Sequence, residues 1–329
     1  MRAVWYDENG RAPQVLHVGN VPTPEPGPGE VRVRLATSGV NPIDVKRRLG
    51  ARGQVVRQRT IPHFDGAGII DAVGEGVPPA RISERVWVFE AQWKRAFGTA
   101  AESVVVPTSR AVRLPDNVSF VEAACLGIPA LTAHRAVFAD GPVAGQTVLV
   151  TGGAGAVGAY AVQFAKLGGA RVLATVSGRE KAEIAADAGA DYVFNYKTED
   201  VVERVMNLRD GGGLDRIVEV EFGGNLPATL RMLKPNGVIA AYASDAVLEP
   251  KVPFYTLAYV SGTVRFVVVF VMPEPAKEQA IADINGWLKA GALRHYVAKP
   301  FALEETAAAH ELVERGSLGN VVVEISPGG

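Results

Sequence analysis

The sequence predicts an α/β chain of two parts, a small antiparallel β-barrel rich in turns and a doubly wound parallel sheet. Three observations predict it. Short β-rich runs fill the first third, separated by proline and glycine. From about residue 119 helical and strand-like segments alternate, the pattern of a parallel sheet with helices on both faces. Between 148 and 158 the run VLVTGGAGAVG stops its apolar stretch at Thr151 and opens into Gly153-x-Gly155-x-x-Gly158.

The β-rich runs fall at 1–6, 15–18, 30–37, 67–73 and 85–90. The proline-rich stretch at 22–29 comes too early for an interdomain linker and reads as an extended connection inside the barrel. Ser119-Phe120-Val121-Glu122 has the spacing of a capping box and opens an alanine-rich helix that Pro129 interrupts. The apolar strand 148–150 then leads through the glycines into a helix at 159–167. Gly168-Gly169 ends that helix, and 170–176 is a second strand, completing a βαβ unit. A helix at 180–188, a strand at 191–194, a helix at 199–208 and strands at 216–220 and 238–243 continue the alternation. The run VRFVVVFV at 264–271 is too short to span a bilayer and reads as a strand apolar on both faces. Helices at 276–290 and 303–315 and a strand at 320–325 follow, the strand returning to the first domain. The expected domains are therefore 1–121 with 266–329, and 122–265.

A chain of 329 residues that is 48% hydrophobic and 21% charged has ample core for two domains. The formal net charge of −1 argues against nucleic-acid or membrane-surface binding, the local exception being Lys46, Arg47 and Arg48 with Arg52, Arg57 and Arg59. Cys125 is the one cysteine, which leaves neither an intramolecular disulfide nor a thiolate metal cluster. The opening MRAVWYDENG carries no leader pattern, so the expected location is cytoplasmic.

The glycine spacing suits the pyrophosphate of a dinucleotide. A strand must turn tightly into a helix, the backbone must approach the phosphates closely, and the helix must pack near the strand. Gly153, Gly155, Ala156, Val157 and Gly158 form that turn, and the helix start adds unpaired N–H groups and a positive dipole end. NAD-binding units place an acid about twenty residues on, for the ribose 2′-hydroxyl. Here the second strand ends Ser177-Gly178-Arg179 with no acid before Glu180, and Ser177, Arg179 and Lys181 suit a 2′-phosphate. The expected cofactor is NADPH rather than NADH.

Taken together, Gly39-Val40-Asn41-Pro42, Asp65-Gly66-Ala67-Gly68 with Asp71-Ala72-Val73-Gly74, the 127–133 run GIPALTA, the fingerprint and Asn195-Tyr196 resemble the medium-chain dehydrogenase/reductase superfamily. The resemblance is to its zinc-free, ζ-crystallin-like quinone oxidoreductase branch and covers nearly the whole chain. It implies a GroES-like β-barrel catalytic domain and a Rossmann-type cofactor domain. Zinc-dependent relatives carry a cysteine near Asn41 and a histidine beside Asp65. This chain has no such cysteine, and Phe64 precedes Asp65, so no metal site is expected. Without a Lewis acid the fitting acceptors are those that spread negative charge, quinones and α,β-unsaturated carbonyls.

By the same resemblance Asn41, Thr132, Tyr242 and Ser244 lie near the nicotinamide, Lys181 and Tyr196 near the 2′-phosphate, and Asn225 near the cofactor. Lys46 stands where quinone oxidoreductases typically have a tyrosine, and is either a cation beside a developing anion or a solvent-facing lysine. Asn320 either closes over the cofactor or caps a strand. Glu219 and Glu221 would repel phosphate, so one is expected to point away or to meet an arginine. The activity implied is NADPH-dependent reduction of quinones by direct hydride transfer without metal, in a cleft between the domains. The alternatives are an enoyl (2-alkenal) reductase of the same fold, and a non-catalytic NADPH-binding protein with a structural or RNA-associated role in which residues 46–59 would bind. The apolar 264–271 strand is expected to pair with a second copy in a homodimer.

Overall fold

The computed structural model describes residues 1–53, 55–208 and 212–325, with the side chain of Arg52 outside the described set. Its strands are β1 (Arg2–Trp5), β2 (His17–Asn20), β3 (Glu30–Val40), β4 (Asp65–Val73), β5 (Arg85–Val88), β6 (Ser103–Pro107), β7 (Ala111–Arg113), β8 (Thr147–Val150), β9 (Arg171–Val176), β10 (Tyr192–Asn195), β11 (Leu214–Glu219), β12 (Leu233–Ala241), β13 (Thr263–Phe266), β14 (Phe301–Ala302) and β15 (Val321–Glu324). They belong to two compact units, one formed by Met1–Ile128 with the chain from Ile281 onward, the other by Pro129–Ala280.

The first unit is the GroES-like barrel. Its main sheet runs β14-β15-β3-β4-β5-β7, with β6 also paired to β3. In β3 the alternation EVRVRL buries Val31, Val33 and Leu35, while Arg34 faces out. Those three join Ile70, Val86, Val88, Val104, Val106, Val321 and Val323 in one core. Register shifts at Arg32/Val33 and Leu35/Thr37 let this long strand curl. β15 pairs antiparallel with β3, Val321 opposite Val40, so the return strand closes this unit.

The second unit is a parallel sheet ordered β10-β9-β8-β11-β12-β13. β8 is buried at all four positions, as a strand covered on both faces must be. Successive strands spread to one side from β8 through β9 to β10 and to the other through β11, β12 and β13. The order therefore reverses between β8 and β11, where ligands of such sheets bind.

Several elements differ from the sequence expectation. The strand expected at 15–18 begins only at His17, as β2, because Val15 closes a helical turn, Ala12–Val15, that has Pro13 in its first positions. β6 and β7 were not anticipated. At Pro129, which has no N–H to give, the helix passes through a π-helical turn, Leu126–Ala130, and resumes as Leu131–Phe138. The apolar run at 264–271 is a strand only to Phe266, followed by a 3₁₀ turn at Val269–Val271. The units meet at 128/129 and 280/281 rather than 121/122 and 265/266. β13 pairs with β12 and so belongs with the parallel sheet, and the short helix Phe120–Ala123 packs on β3 and β4.

Candidate functional site

In the second unit the fingerprint closes β8 onto the helix Ala156–Leu167. Gly152, outside the spaced triad, makes the turn, at φ +65°. Its N–H donates to Thr175 Oγ1 at 3.3 Å and that of Gly153 to Thr175 O at 2.9 Å, tying the turn to the end of β9. A Cβ on Gly153 would stand 2.7 Å from the Ala174 methyl, and one on Gly158 only 2.1 Å from Gly152 O. Gly155 is the N-cap, and beside its Cβ position stands just Gly152 O, at 3.3 Å. The first amides of the helix, at Ala156, Val157 and Gly158, have no carbonyl a turn behind them within the helix. This cradle fits a pyrophosphate.

Beside it lies a cavity of about 600 Å³, lined among others by Thr151, Gly152, Thr175, Tyr196, Asn225 and Arg231. Tyr196, at the end of β10, is 53% exposed, and its N–H donates to Val176 O at 3.1 Å. Ser177 is half-buried, Lys181 half-buried on the helix Arg179–Asp187, and Arg179 exposed in an ion pair with Glu183 at 3.2 Å. No acid stands at the end of β9, which closes on Thr175 and Val176 ahead of Ser177.

Among the described residues neither Glu219 nor Glu221 meets an arginine: Glu221 lines the cavity, and Glu219 is buried behind it. Glu221 caps the helix Phe222–Met232 through Gly224 N at 3.2 Å and accepts from Asp245 N and Ala246 N at 2.7 and 2.9 Å. Burial pushes its carboxyl up, but those amides more than offset that and hold it below the usual carboxylate range. Glu219 is fully buried, and one of its oxygens accepts from Thr151, Glu221 and Asn225. Burial raises its pKa, only partly offset by those donors. Tyr242 donates its N–H to Glu219 O at 3.1 Å, and burial with the Glu219 charge pushes its phenol up. The Ser244 hydroxyl is committed to the loop, accepting from Gly223 N at 3.0 Å and donating to Val247 O at 2.5 Å. Thr132 is buried in the helix Leu131–Phe138.

In the first unit Asn41 is the N-cap of the helix Pro42–Arg48 and only 4% exposed. Its N–H donates to Asp44 Oδ2 at 2.7 Å, and its side-chain Nδ2 donates to Asp65 Oδ2 at 2.8 Å. Ile128 N donates to the same Asp65 oxygen at 2.8 Å. Burial pushes the Asp65 carboxyl up to about 7, against these two donors. Lys46, on the helix Pro42–Arg48, is half-buried. Asn320 donates its side-chain amide to Tyr296 O at 3.2 Å, just ahead of β15.

Sequence reasoning missed a buried chain behind Asp65. His310 and His63 meet Nε2 to Nε2 at 2.9 Å, His63 Nδ1 meets Ser38 Oγ at 2.8 Å, and Ser38 meets Thr99 Oγ1 at 2.7 Å. Thr99 then donates to Asp65 O at 2.5 Å. The signal available was small, a histidine two residues before Asp65 and another in a late helix. The basic run is divided rather than forming a patch: Arg48 is fully buried with Glu314 as its ion-pair partner, Arg47 lies over the Phe64 ring and donates to Gln92 O, and Arg59 pairs with Asp7.

A zinc ion does not fit these residues. Phe64 offers no ligand, one Asp65 oxygen is taken by Asn41 and Ile128, and His63 is bonded at both ring nitrogens. Among the described residues no three His, Cys, Asp or Glu side chains gather into a set that would hold a metal.

Residues 27–116 match the family model described as "Alcohol dehydrogenase GroES-like domain", and residues 156–284 that described as "Zinc-binding dehydrogenase". The human "Quinone oxidoreductase" is 30% identical over 319 residues, covering 96% of this chain and 95% of the relative. A "2-haloacrylate reductase" from a Burkholderia species is 29% identical over 308 residues, 91% of each chain. A mycobacterial protein solved in complex with NADPH superposes with a TM-score of 0.87 at 28% identity, covering 99% of this chain and 100% of the other. With 30% identity across nearly the whole of the human relative, and with its barrel, parallel sheet and glycine turn, the chain belongs to the medium-chain dehydrogenase/reductase superfamily, in its quinone oxidoreductase branch.

Proposed function

We propose that this protein reduces quinones with NADPH by direct hydride transfer without a metal. The observation that carries the reading is the bonding of Asp65: where relatives that bind zinc need an open ligand set, Asn41 and Ile128 N fill one carboxyl oxygen and Phe64 stands alongside. Such a site gives no Lewis acid to stabilise an alkoxide, so it favours acceptors that delocalise charge. NADPH, when bound, supplies the hydride from C4. The glycine turn and the first amides of the helix Ala156–Leu167 hold the pyrophosphate, with Asn225 of the helix Phe222–Met232 toward the cofactor and Tyr242 and Ser244, past the end of β12, toward the nicotinamide. Ser177, Arg179, Lys181 and Tyr196 receive the 2′-phosphate; the Arg179–Glu183 pair is exposed enough to be given up at little cost. On the acceptor's side an amide has two N–H donors, and Asn41 uses one on Asp65, leaving the other for a carbonyl oxygen. Lys46 adds positive charge to the same helix, and Thr132 packs behind the nicotinamide. Catalysis comes from positioning and from these donors.

A second reading, reduction of a 2-alkenal or related conjugated acid, draws support from Asp65. A carboxyl raised to about 7 carries a proton part of the time at neutral pH, and enoyl reduction needs a proton on carbon. The 2-haloacrylate reductase among the relatives acts on such a substrate by its name. The structural or RNA-associated reading draws least support, since Arg47, Arg48 and Arg59 are engaged within the chain.

The homodimer belongs to the same proposal. β13 is the edge of its sheet, and Phe266, Val268 and Val271 beside it are 69%, 52% and 70% exposed. Pairing with a second copy would cover them. A monomer in sedimentation at micromolar concentration would remove this part.

The activity is tested by titrating the purified protein with NADPH and NADH, then following NADPH oxidation with a quinone and a 2-alkenal in parallel. The expected result is preference for NADPH and turnover of the quinone. Turnover of the alkenal alone would move the assignment to the second reading.

A further inference from the structure

The second unit holds a buried acid that the mechanism does not use. Glu219 ends β11, next to the point where the strand order reverses, and is 0% exposed. Its Oε1 accepts three hydrogen bonds, each 2.8 Å long, from Thr151 Oγ1, Glu221 N and Asn225 Nδ2. Its Oε2 is buried without a partner among the described residues. Thr151, Glu221 and Asn225 all line the 600 Å³ cavity, while Glu219 stands behind them. One carboxyl group thus ties the end of β8, the last residue before the glycine turn, to the first turn of the helix Phe222–Met232.

We infer that Glu219 is a positioning residue of the dinucleotide site, which fixes Thr151, Glu221 and Asn225 and takes up a proton when the dinucleotide binds. The inference rests on the cofactor proposed above. The groups facing Glu219 are Thr151 from β8, Glu221 and Asn225 from the following helix, and Tyr242 after β12. None of these is a cation, and Glu221 is a carboxylate. Glu199, Asp200 and Arg231 line the cavity in front. A pyrophosphate seated in the glycine turn brings further negative charge, and a like charge favours the neutral acid. By linkage, binding draws a proton onto Glu219, and affinity weakens as pH rises through its titration.

The test compares the wild type with Glu219→Gln, which keeps an oxygen for the three donors and carries no charge. NADPH and NADH dissociation constants are measured by fluorescence from pH 5.5 to 8.5, NADH serving to exclude titration of the 2′-phosphate. The expected result is a wild-type affinity that falls with pH relative to E219Q by roughly 3–10-fold, the size of a shift of up to one pKa unit. Calorimetry of the wild type in two buffers of different ionisation enthalpy should show proton uptake, and needs no variant to fold; E219Q should lose it. Parallel pH profiles for the two proteins, or binding without proton uptake, would overturn the inference alone. No binding of either dinucleotide by the folded wild type would overturn the proposed cofactor and the inference with it.

Discussion

His310 donates from Nε2 to the Nε2 of His63 across 2.9 Å, a contact between residues 247 apart in sequence. Both ends of the chain of hydrogen bonds fix its polarity. Arg48 has only donors, so its Nε–H, 3.4 Å from His310 Nδ1, leaves the His310 proton on Nε2. At the other end Thr99 gives its proton to the Asp65 carbonyl, so Ser38 donates to Thr99 and His63 Nδ1 donates to Ser38. The two assignments agree only if both rings are neutral. The chain ends on a carbonyl, which cannot pass a proton on, so it holds Asp65 in place and conducts nothing.

Acid should therefore unfold the first unit early. Burial lowers His63 to about 3 and, with the charges of His63 and Arg48, holds His310 well below the usual range. A lowered base contributes stability that is full above the unfolded value near 6.5 and is lost as pH falls toward the folded one. Each histidine then costs about 1.4 kcal/mol per pH unit below about 6.5. Asp65 offsets part of that slope in the wild type, so the difference between variants is what isolates one ring: in urea denaturation from pH 6.5 to 5, His310→Gln, which keeps a donor and an acceptor, should lose stability less steeply than the wild type by about 1.4 kcal/mol per pH unit. An unchanged slope in the variant would contradict the neutral pair.

Asp65 should behave in the opposite sense. Its folded pKa of about 7 lies above the ordinary carboxylate value, so its penalty grows as pH rises toward 7 and is complete above it. Asp65→Asn keeps an oxygen for Asn41 and Ile128, and should gain roughly 2–3 kcal/mol on the wild type between pH 5 and pH 8. Denaturation of both proteins at the two values measures this, and a pH-independent difference would show that Asp65 does not carry a proton in the fold.

Gly158→Ala should destabilise by about 1–3 kcal/mol and abolish dinucleotide binding, because the new methyl meets Gly152 O at 2.1 Å. Gly178→Ala is the control. Nothing stands within 4 Å of its Cβ position and its φ of 172° is extended, so its stability should change by under ~0.5 kcal/mol. Thermal melts and NADPH titration of the two variants separate a packing effect from a general loss of glycine.

Asp140 accepts from Arg216 and Arg265, and Arg216 lies nearly buried in β11. Asp140→Asn leaves the Arg216 charge uncompensated, at a cost of about 3–5 kcal/mol. Arg216→Met with Asp140→Asn should recover much of it, since removing both charges relieves the burial penalty. A double variant as unstable as the single one would argue that shape rather than charge decides here.

What was legible in the sequence was what lies close along the chain. The Ser119–Glu122 capping box and the glycine turn are set by neighbours a few residues apart, and both appear as read. Gly152 escaped because the spaced triad leaves it out, although it alone in the turn takes a left-handed backbone. Glu219 and Glu221 were flagged as awkward charges, yet their partners proved to be amides and hydroxyls brought in by folding rather than an arginine. The His310–His63 contact left little signal, because nothing in the sequence next to either residue requires it. Ser244 was placed by analogy, and its hydroxyl is spent on Val247 and Gly223.

That same long separation bears on how the protein is made. The parallel sheet lies in one continuous segment, Pro129–Ala280, and can close while still on the ribosome. His63, by contrast, must wait for His310, and at ~5–20 residues per second a distance of 247 residues is roughly 12–50 s of synthesis. For that interval β3 lacks β15, and its edge near Val40 stands open in the nascent chain. The barrel, first to emerge, is last to be finished, and its open edge is what a chaperone would have to shield.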